Sequence, residues 1–371
     1  MTRPLAGVKV LDFSTLLPGP VCTLVLAEAG ADVLKIERPG MGDEMRTYQP
    51  RAGADSANFA LLNRGKRSLA IDLKAPGSAE RILALVREAD VVVEQFRPGV
   101  MDRLGLGYEA MAAVNPRIVY CAITGYGQHG PRADVAAHDL NYVAESGMLS
   151  LAAGSDGAPV VPAALVADIA GGAYPAVINI LLALRACDAS GVGCKIDVSM
   201  SDHLFTFLYW AMSEGEVTGR FPGPATGLVT GGSPRYQVYR AKDGRFVAAA
   251  PLEQKFWMNF TRIIGLAAEL VDDARDAEAT KRGVAECIAS RTSDEWRAAF
   301  AGQDVCCSIV STMGEAMADP HFRARGLFAR KVVTDAGPLT AAPVPVADAF
   351  RAPEATVGYP RLGDANDAVL K

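Results

Sequence analysis

Residues 8–37 read VKVLDFSTLLPGPVCTLVLAEAGADVLKIE, and the order strand, turn, helix, strand is legible in them. Val8–Phe13 is an apolar, β-branched run, Gly19-Pro20 opens a helix carrying Leu24 and Leu26, and Asp32–Ile36 repeats the strand signal. This is how a dinucleotide-binding fold begins, and Glu37 even closes the second strand. The first turn, however, is Ser14-Thr15-Leu16-Leu17-Pro18-Gly19-Pro20. It lacks the G-x-G-x-x-G that lets a pyrophosphate approach a helix N-terminus, which argues against a nicotinamide enzyme.

Working outward, Ser68–Leu73, Asp90–Glu94 and Ile118–Ile123 are further strand runs, and Ser78–Glu88 and Tyr108–Val114 have helical periodicity. Strands alternating with helices predict an α/β fold with a large Rossmann-like parallel sheet. At 371 residues the chain exceeds what one core usually holds, so a second, smaller α+β domain is expected. Residues 1–214 form the large domain in this reading. Residues 215–232, dense in Gly, Pro and Thr, are the linker, and 233–303 are the small domain. The small domain starts with a hairpin, Arg235–Arg240 and Arg245–Ala250 around Lys242-Asp243-Gly244, and continues as helices to Gly302. The composition shifts again at Asp304, and Pro338 to Pro360 reads as extended chain.

The bulk numbers are those of a globular enzyme, with 50% hydrophobic and 21% charged residues. A formal charge of −5, from 37 basic and 42 acidic residues, gives no reason to expect nucleic acid as a partner. The opening MTRPLAGVKVLDF has no signal-peptide pattern, and no window reaches about 18 continuous apolar residues, so no membrane partner is expected. Ala173–Ala186 reads instead as a buried helix. Seven scattered cysteines without a C-x-x-C pair read as reduced thiols of a cytoplasmic protein. Four histidines without H-x-x-x-H spacing predict no metal site.

Three local features are candidates for chemistry. His138 and Asp139, in Ala137-His138-Asp139-Leu140-Asn141-Tyr142, follow the Gly-rich loop 125–131; they read as an oriented general base or as a plain helix start with a satisfied imidazole. Asp168, in Val166-Ala167-Asp168-Ile169-Ala170-Gly171-Gly172, is a lone acid in an apolar run. It reads as a helix N-cap, or as a functional carboxylate to which glycine permits close backbone approach. Glu253, just after the hairpin, reads as a cap or as a catalytic acid. Arg38, Arg64, Lys66, Arg67, Arg97 and Arg103 fall at strand ends or in adjacent turns, where open α/β sheets place ligands, and together form a candidate phosphate clamp.

Eight stretches in order carry a resemblance over nearly the whole chain: LAGVKVLDFSTLLPGP, GADVLKIERPG, NRGKRSLAIDLK, ADVVVEQFRPGVMDRLGLGY, NPRIVYCAITGYGQHGP, AHDLNYVAESG, VADIAGG and DVCCSIVSTMGEAMADPHFRARGLF. The sequence resembles the family III CoA-transferases, a group that also contains the α-methylacyl-CoA racemases. That resemblance implies a large domain completed by residues 304–371 and two chains interlocked as a homodimer. It implies an acyl-CoA substrate with coenzyme A as part of it, no tightly bound cofactor, and CoA contacts at Arg38, Leu73, Lys74, Phe96, Arg97 and Arg103. Transferases of the group use the aspartate matching Asp168 as a nucleophile, whereas racemases use it as an acid/base with the histidine matching His138. Racemases also carry a glutamate matching Glu253, and the Asp139 N–H is a candidate enolate donor. The His-Asp pair favours epimerisation at C2 of a 2-methylacyl-CoA; CoA transfer between carboxylic acids is the alternative. Ala164, where racemases usually carry Asn, and Gly227–Pro234, where they carry NMLDGGAP, depart from the racemase pattern.

Overall fold

The computed structural model describes residues 3–154, 156–354 and 356–370. Its first strands are β1 (Lys9–Asp12), β2 (Asp32–Glu37), β3 (Arg67–Ala70), β4 (Val91–Glu94) and β5 (Val119–Thr124). With β6 (Cys194–Ser199) they form one parallel sheet of order β3-β2-β1-β4-β5-β6. The expected parallel sheet is present, and its order reverses direction between β1 and β4. The strand β6 carried no readable signal: four of the six residues in CKIDVS are not buried.

Helices α1 (Pro18–Glu28), α2 (Ala57–Asn63), α3 (Ser78–Val86), α4 (Val100–Arg103), α5 (Tyr108–Val114), α6 (Asp139–Glu145) and α7 (Tyr174–Ser190) accompany the sheet. The α3 helix buries Ser78, Ile82 and Val86, one residue per turn, against a core that contains Leu11, Leu34, Leu69 and Val92. The α7 stretch corrects the expectation of a wholly buried helix. Ala176, Val177, Ile180, Ala183 and Cys187 are buried, but Ile178 and Leu182 are 57% and 63% exposed. Ala167–Ser190 is, among the described residues, the segment long and apolar enough by length and composition to cross a membrane, and its buried face packs on β5 and β6.

Two compact units are present: residues 1–146, 162–206 and 320–371, and residues 147–161 with 207–319. Helix α8 (Tyr209–Thr218) runs into the stretch expected as a linker. The second unit pairs β7 (Gln237–Arg240), β8 (Phe246–Ala249) and β9 (Cys307–Ile309) antiparallel. Helices α9 (Gln254–Ile264), α10 (Ala277–Ala289) and α11 (Ser293–Phe300) cover a core containing Trp257, Phe260, Val284, Ile288 and Trp296. In the first unit, β10 (Lys331–Thr334), β11 (Gly337–Thr340) and β12 (Thr356–Val357) make a small sheet. Further on, Asp364 and Asn366 accept from the N–H groups of Ser68 and Ala70, and the Asn366 amide donates back to the Ala70 carbonyl. The outer edge of β3 is thereby satisfied and closed to further pairing.

Four buried charges hold the turn after β1. Asp12 accepts from Lys66 Nζ (3.2 Å), Thr23 Oγ1 (2.6 Å) and the Ser14 N–H (3.0 Å). Lys35 Nζ reaches Asp43 at 2.9 Å and donates to the Ser14 carbonyl at 2.7 Å. Both ion pairs have fully buried side chains. Asp43 also accepts from the N–H of Leu16, a non-glycine residue held at φ +61°. Burial alone would raise the Asp12 carboxyl, but Lys35 and Lys66, with Ser14 and Thr23, hold it down at about 2. Its contribution to stability is therefore complete above the ordinary 3.8 and is lost as pH falls through about 2. Lys35→Met, which leaves a buried carboxylate uncompensated, is expected to cost about 3–5 kcal/mol in urea unfolding at pH 7. A cost below about 1 kcal/mol, the ordinary worth of an exposed pair, would contradict this reading.

Candidate active site

Open α/β sheets bind ligands beyond the strand ends where the order reverses, here between β1 and β4. The start of α1 lies there but is closed to anions. Pro18 and Pro20 have no N–H, the Gly19 N–H is taken by Gln95 Oε1 (3.0 Å), and the Val21 N–H by the Leu17 carbonyl. Glu37 is equally occupied. It accepts twice from Arg46 (2.8 Å each), once from Ser68 Oγ (2.6 Å) and once from the Asp43 N–H (2.9 Å). Neither element of a dinucleotide site is free.

Two clefts open instead, and Phe96 lines both. The first, about 640 Å³, has Phe13, Ile36, Ile71, Leu73 and Leu104 on its walls and the exposed cations Arg38, Lys74 and Arg103 around it. Cations beside an apolar slot suit a ligand with phosphates and an uncharged arm. Five of the six expected CoA contacts thus line one cleft, and the sixth, Arg97, lines its neighbour. Arg64, Lys66 and Arg67 are corrected: none lines either cleft. Arg64 is buried on Glu28 (2.7 Å), Lys66 belongs to the Asp12 cluster, and Arg67 binds Asp32 (2.6 Å).

The second cleft, about 380 Å³, is lined by His138, Asp168, Asn141, Tyr142, Thr124 and Arg97 among others. Asp168 does not cap a helix. It sits in a π-helical turn, Ala167–Ala173, that leads into α7, and π turns recur at functional sites. Glycine is required there: a Cβ on Gly171 would lie 2.3 Å from the Met200 carbonyl oxygen, and one on Gly172 would lie 2.8 Å from the Met200 side chain. The Met200 N–H in turn donates to the Thr124 carbonyl, so the acid is fastened to the end of β5.

His138 is the N-cap of α6 by backbone position, its N–H donating to Asn141 Oδ1 at 3.0 Å, but its exposed imidazole makes no cap bond. Asp139, buried at the first helical position, accepts from the Asp168 N–H at 2.9 Å. That bond joins the two sequence motifs, 29 residues apart. Burial, and then the Asp139 charge, push the Asp168 carboxyl up to about 6, with His138 pulling the other way. An acid poised near neutrality beside an imidazole can exchange protons with a bound ligand in either direction.

Glu253 lies in the second unit, exposed at the N-cap of α9, without a side-chain cap bond. Sequence reading passed over Gln95, which occupies the α1 terminus, and Tyr142, whose hydroxyl donates to the Ala137 carbonyl (2.9 Å) and whose ring leaves no room for a Cβ on Gly125. Gly125 was the available signal.

An ionised Asp168 costs stability in proportion to its raised pKa: nothing below the unfolded value of 3.8, and the full amount above about 6. Asp168→Asn is therefore expected to stabilise the protein by about 1–2 kcal/mol at pH 8, after allowance for solvent screening, and by little at pH 4. Thermal unfolding at the two pH values checks this, and equal shifts at both would refute the perturbed carboxyl.

Residues 5–366 match the family model described as CoA-transferase family III. The human α-methylacyl-CoA racemase is 34% identical over 350 residues, covering 91% of this chain and 85% of that protein. The acetyl-CoA:oxalate CoA-transferase of Acetobacter aceti is 39% identical over 276 residues, covering 74% of this chain and 70% of that protein. Among solved structures, a CaiB/BaiF family protein from Brucella suis superposes with a TM-score of 0.84 at 29% identity, covering 100% of this chain and 99% of that one. The chain therefore belongs to CoA-transferase family III.

Proposed function

We propose that this enzyme is a racemase of the α-methylacyl-CoA type, epimerising C2 of a 2-methylacyl-CoA. The observation that carries the reading is an imidazole, His138, and a poised carboxyl, Asp168, lining one cleft. One group takes the C2 proton, and the C–H pair moves into the C1–C2 bond to give the enolate. The other group delivers a proton to the opposite face as the carbonyl re-forms. No atom is gained or lost, and the two side chains exchange protonation states in each turnover. The Asp139 N–H, at a helix position without an intrahelical acceptor, is the proposed donor to the enolate oxygen.

Coenzyme A is bound as part of the substrate, its phosphates at Arg38, Lys74 and Arg103 and its thioester arm passing Phe96 toward Arg97 and Asp168; no tightly held cofactor is invoked. The apolar residues Ile178, Leu181 and Leu182 exposed along α7 support burial against a second copy in a homodimer. Seven free cysteines suit the reducing cytoplasm. Glu253 enters the reading through the resemblance alone, as a residue supporting the protonation state of His138.

The relatives include CoA-transferases as well as racemases, and Asp168 as a nucleophile toward a donor thioester is the second reading. Incubation with a (2R)-2-methylacyl-CoA in D2O, with and without a free carboxylic acid, separates the two. Deuterium is expected at C2 without the acid, and His138→Ala is expected to slow its entry about 10²–10⁴-fold. Acceptor-dependent CoA transfer with no exchange, and a hydroxylamine-sensitive Asp168 adduct, would overturn the racemase in favour of the transferase.

A further inference from the structure

The strand β4 ends on a carboxylate that neither reading of the chemistry uses. Glu94 is 4% exposed. Its Oε2 accepts from the Phe96 N–H at 2.7 Å, and its Oε1 accepts from the Tyr120 hydroxyl at 3.3 Å. The turn that follows, Gln95-Phe96-Arg97, has two other ties: Gln95 Oε1 accepts from the Gly19 N–H, and the Arg97 carbonyl accepts from the Val100 N–H. Among the described residues the Glu94 carboxylate is the acceptor of the backbone N–H of Phe96, the residue that lines both clefts. We infer that Glu94 is a positioning residue for the CoA-binding turn, its carboxylate setting the wall between the two clefts and the direction in which Arg97 leaves it.

A buried carboxylate is costly unless it is paired or hydrogen-bonded. Here the charge strengthens a backbone N–H bond that a neutral acceptor would hold more weakly. The charged and titratable groups around Glu94 are Tyr120 and Cys121 on β5, Lys195 on β6 and Asp102 on α4. Burial pushes the carboxyl up to about 7; the Phe96 N–H, Tyr120 and Lys195 oppose the rise and Asp102 adds to it. The clamp is therefore at full strength above about pH 7 and weakens as Glu94 takes up a proton below it.

The inference rests on the CoA reading, and the affinity for coenzyme A itself, measured by calorimetry at pH 6 and pH 8, tests the two separately. CoA protonates identically whichever variant it meets, so the difference between variants isolates Glu94. The wild-type protein is expected to bind about tenfold more weakly at pH 6 than at pH 8, while Glu94→Gln, neutral at both, should lose most of that difference and resemble the wild type at pH 6. Glu94→Ala, with no acceptor for the Phe96 N–H, should bind more weakly than Glu94→Gln at both pH values. A Glu94→Gln protein with an unchanged pH dependence, or a folded Glu94→Ala protein with wild-type affinity at pH 8, overturns the positioning role. Absence of CoA binding by the wild type at either pH overturns the CoA reading instead.

Discussion

Beneath the first turn of the large sheet, two lysines and two aspartates meet out of reach of water. Lys35 comes from β2, Lys66 from the approach to β3, Asp12 from the end of β1 and Asp43 from the loop beyond β2. The set is neutral, so burial is tolerable only while all four are present. Together they tie the first three strands to one turn. With Pro18 and Pro20 at the helix start and the Gly19 N–H taken, no backbone N–H group is offered there, and the exposed cations are the side chains of Arg38, Lys74 and Arg103 along the first cleft.

The carboxyls of Asp139 and Asp168 divide their tasks by environment. Asp139 is buried and spends an oxygen on the Asp168 N–H, so it fixes the backbone of its neighbour. Its negative charge is also one cause of the elevated Asp168 pKa. A single contact therefore positions the acid and tunes it.

How much of this was legible in the sequence depended on how local each signal was. The first five strands declared themselves through short β-branched runs, and the missing glycines of the first turn argued against a dinucleotide site, whose usual elements are occupied by Gln95 and Arg46. Arg64, Lys66 and Arg67 looked like ligand-facing cations because their partners, Glu28, Asp12 and Asp32, are 36, 54 and 35 residues away. A charge is read as exposed until its distant counter-ion is known. The π turn at Asp168 was hidden because a one-turn change of helical period leaves no hydrophobic repeat. The uncovered side of α7 was hidden too, since composition shows that a helix is apolar but not which of its faces meets the sheet.

The closure of β3 by Asp364 and Asn366 spans 296 residues of sequence. A ribosome makes β3 long before it makes the segment that satisfies its edge, and every residue of the second unit is translated in between. During synthesis the nascent sheet therefore carries an open row of N–H and C=O groups, of the kind that invites pairing with another chain. The second unit has no such debt, because its principal segment, 207–319, is continuous. Folding order in the cell is consequently set against reading order: the inserted unit can be finished first, and the unit that begins the chain is completed last.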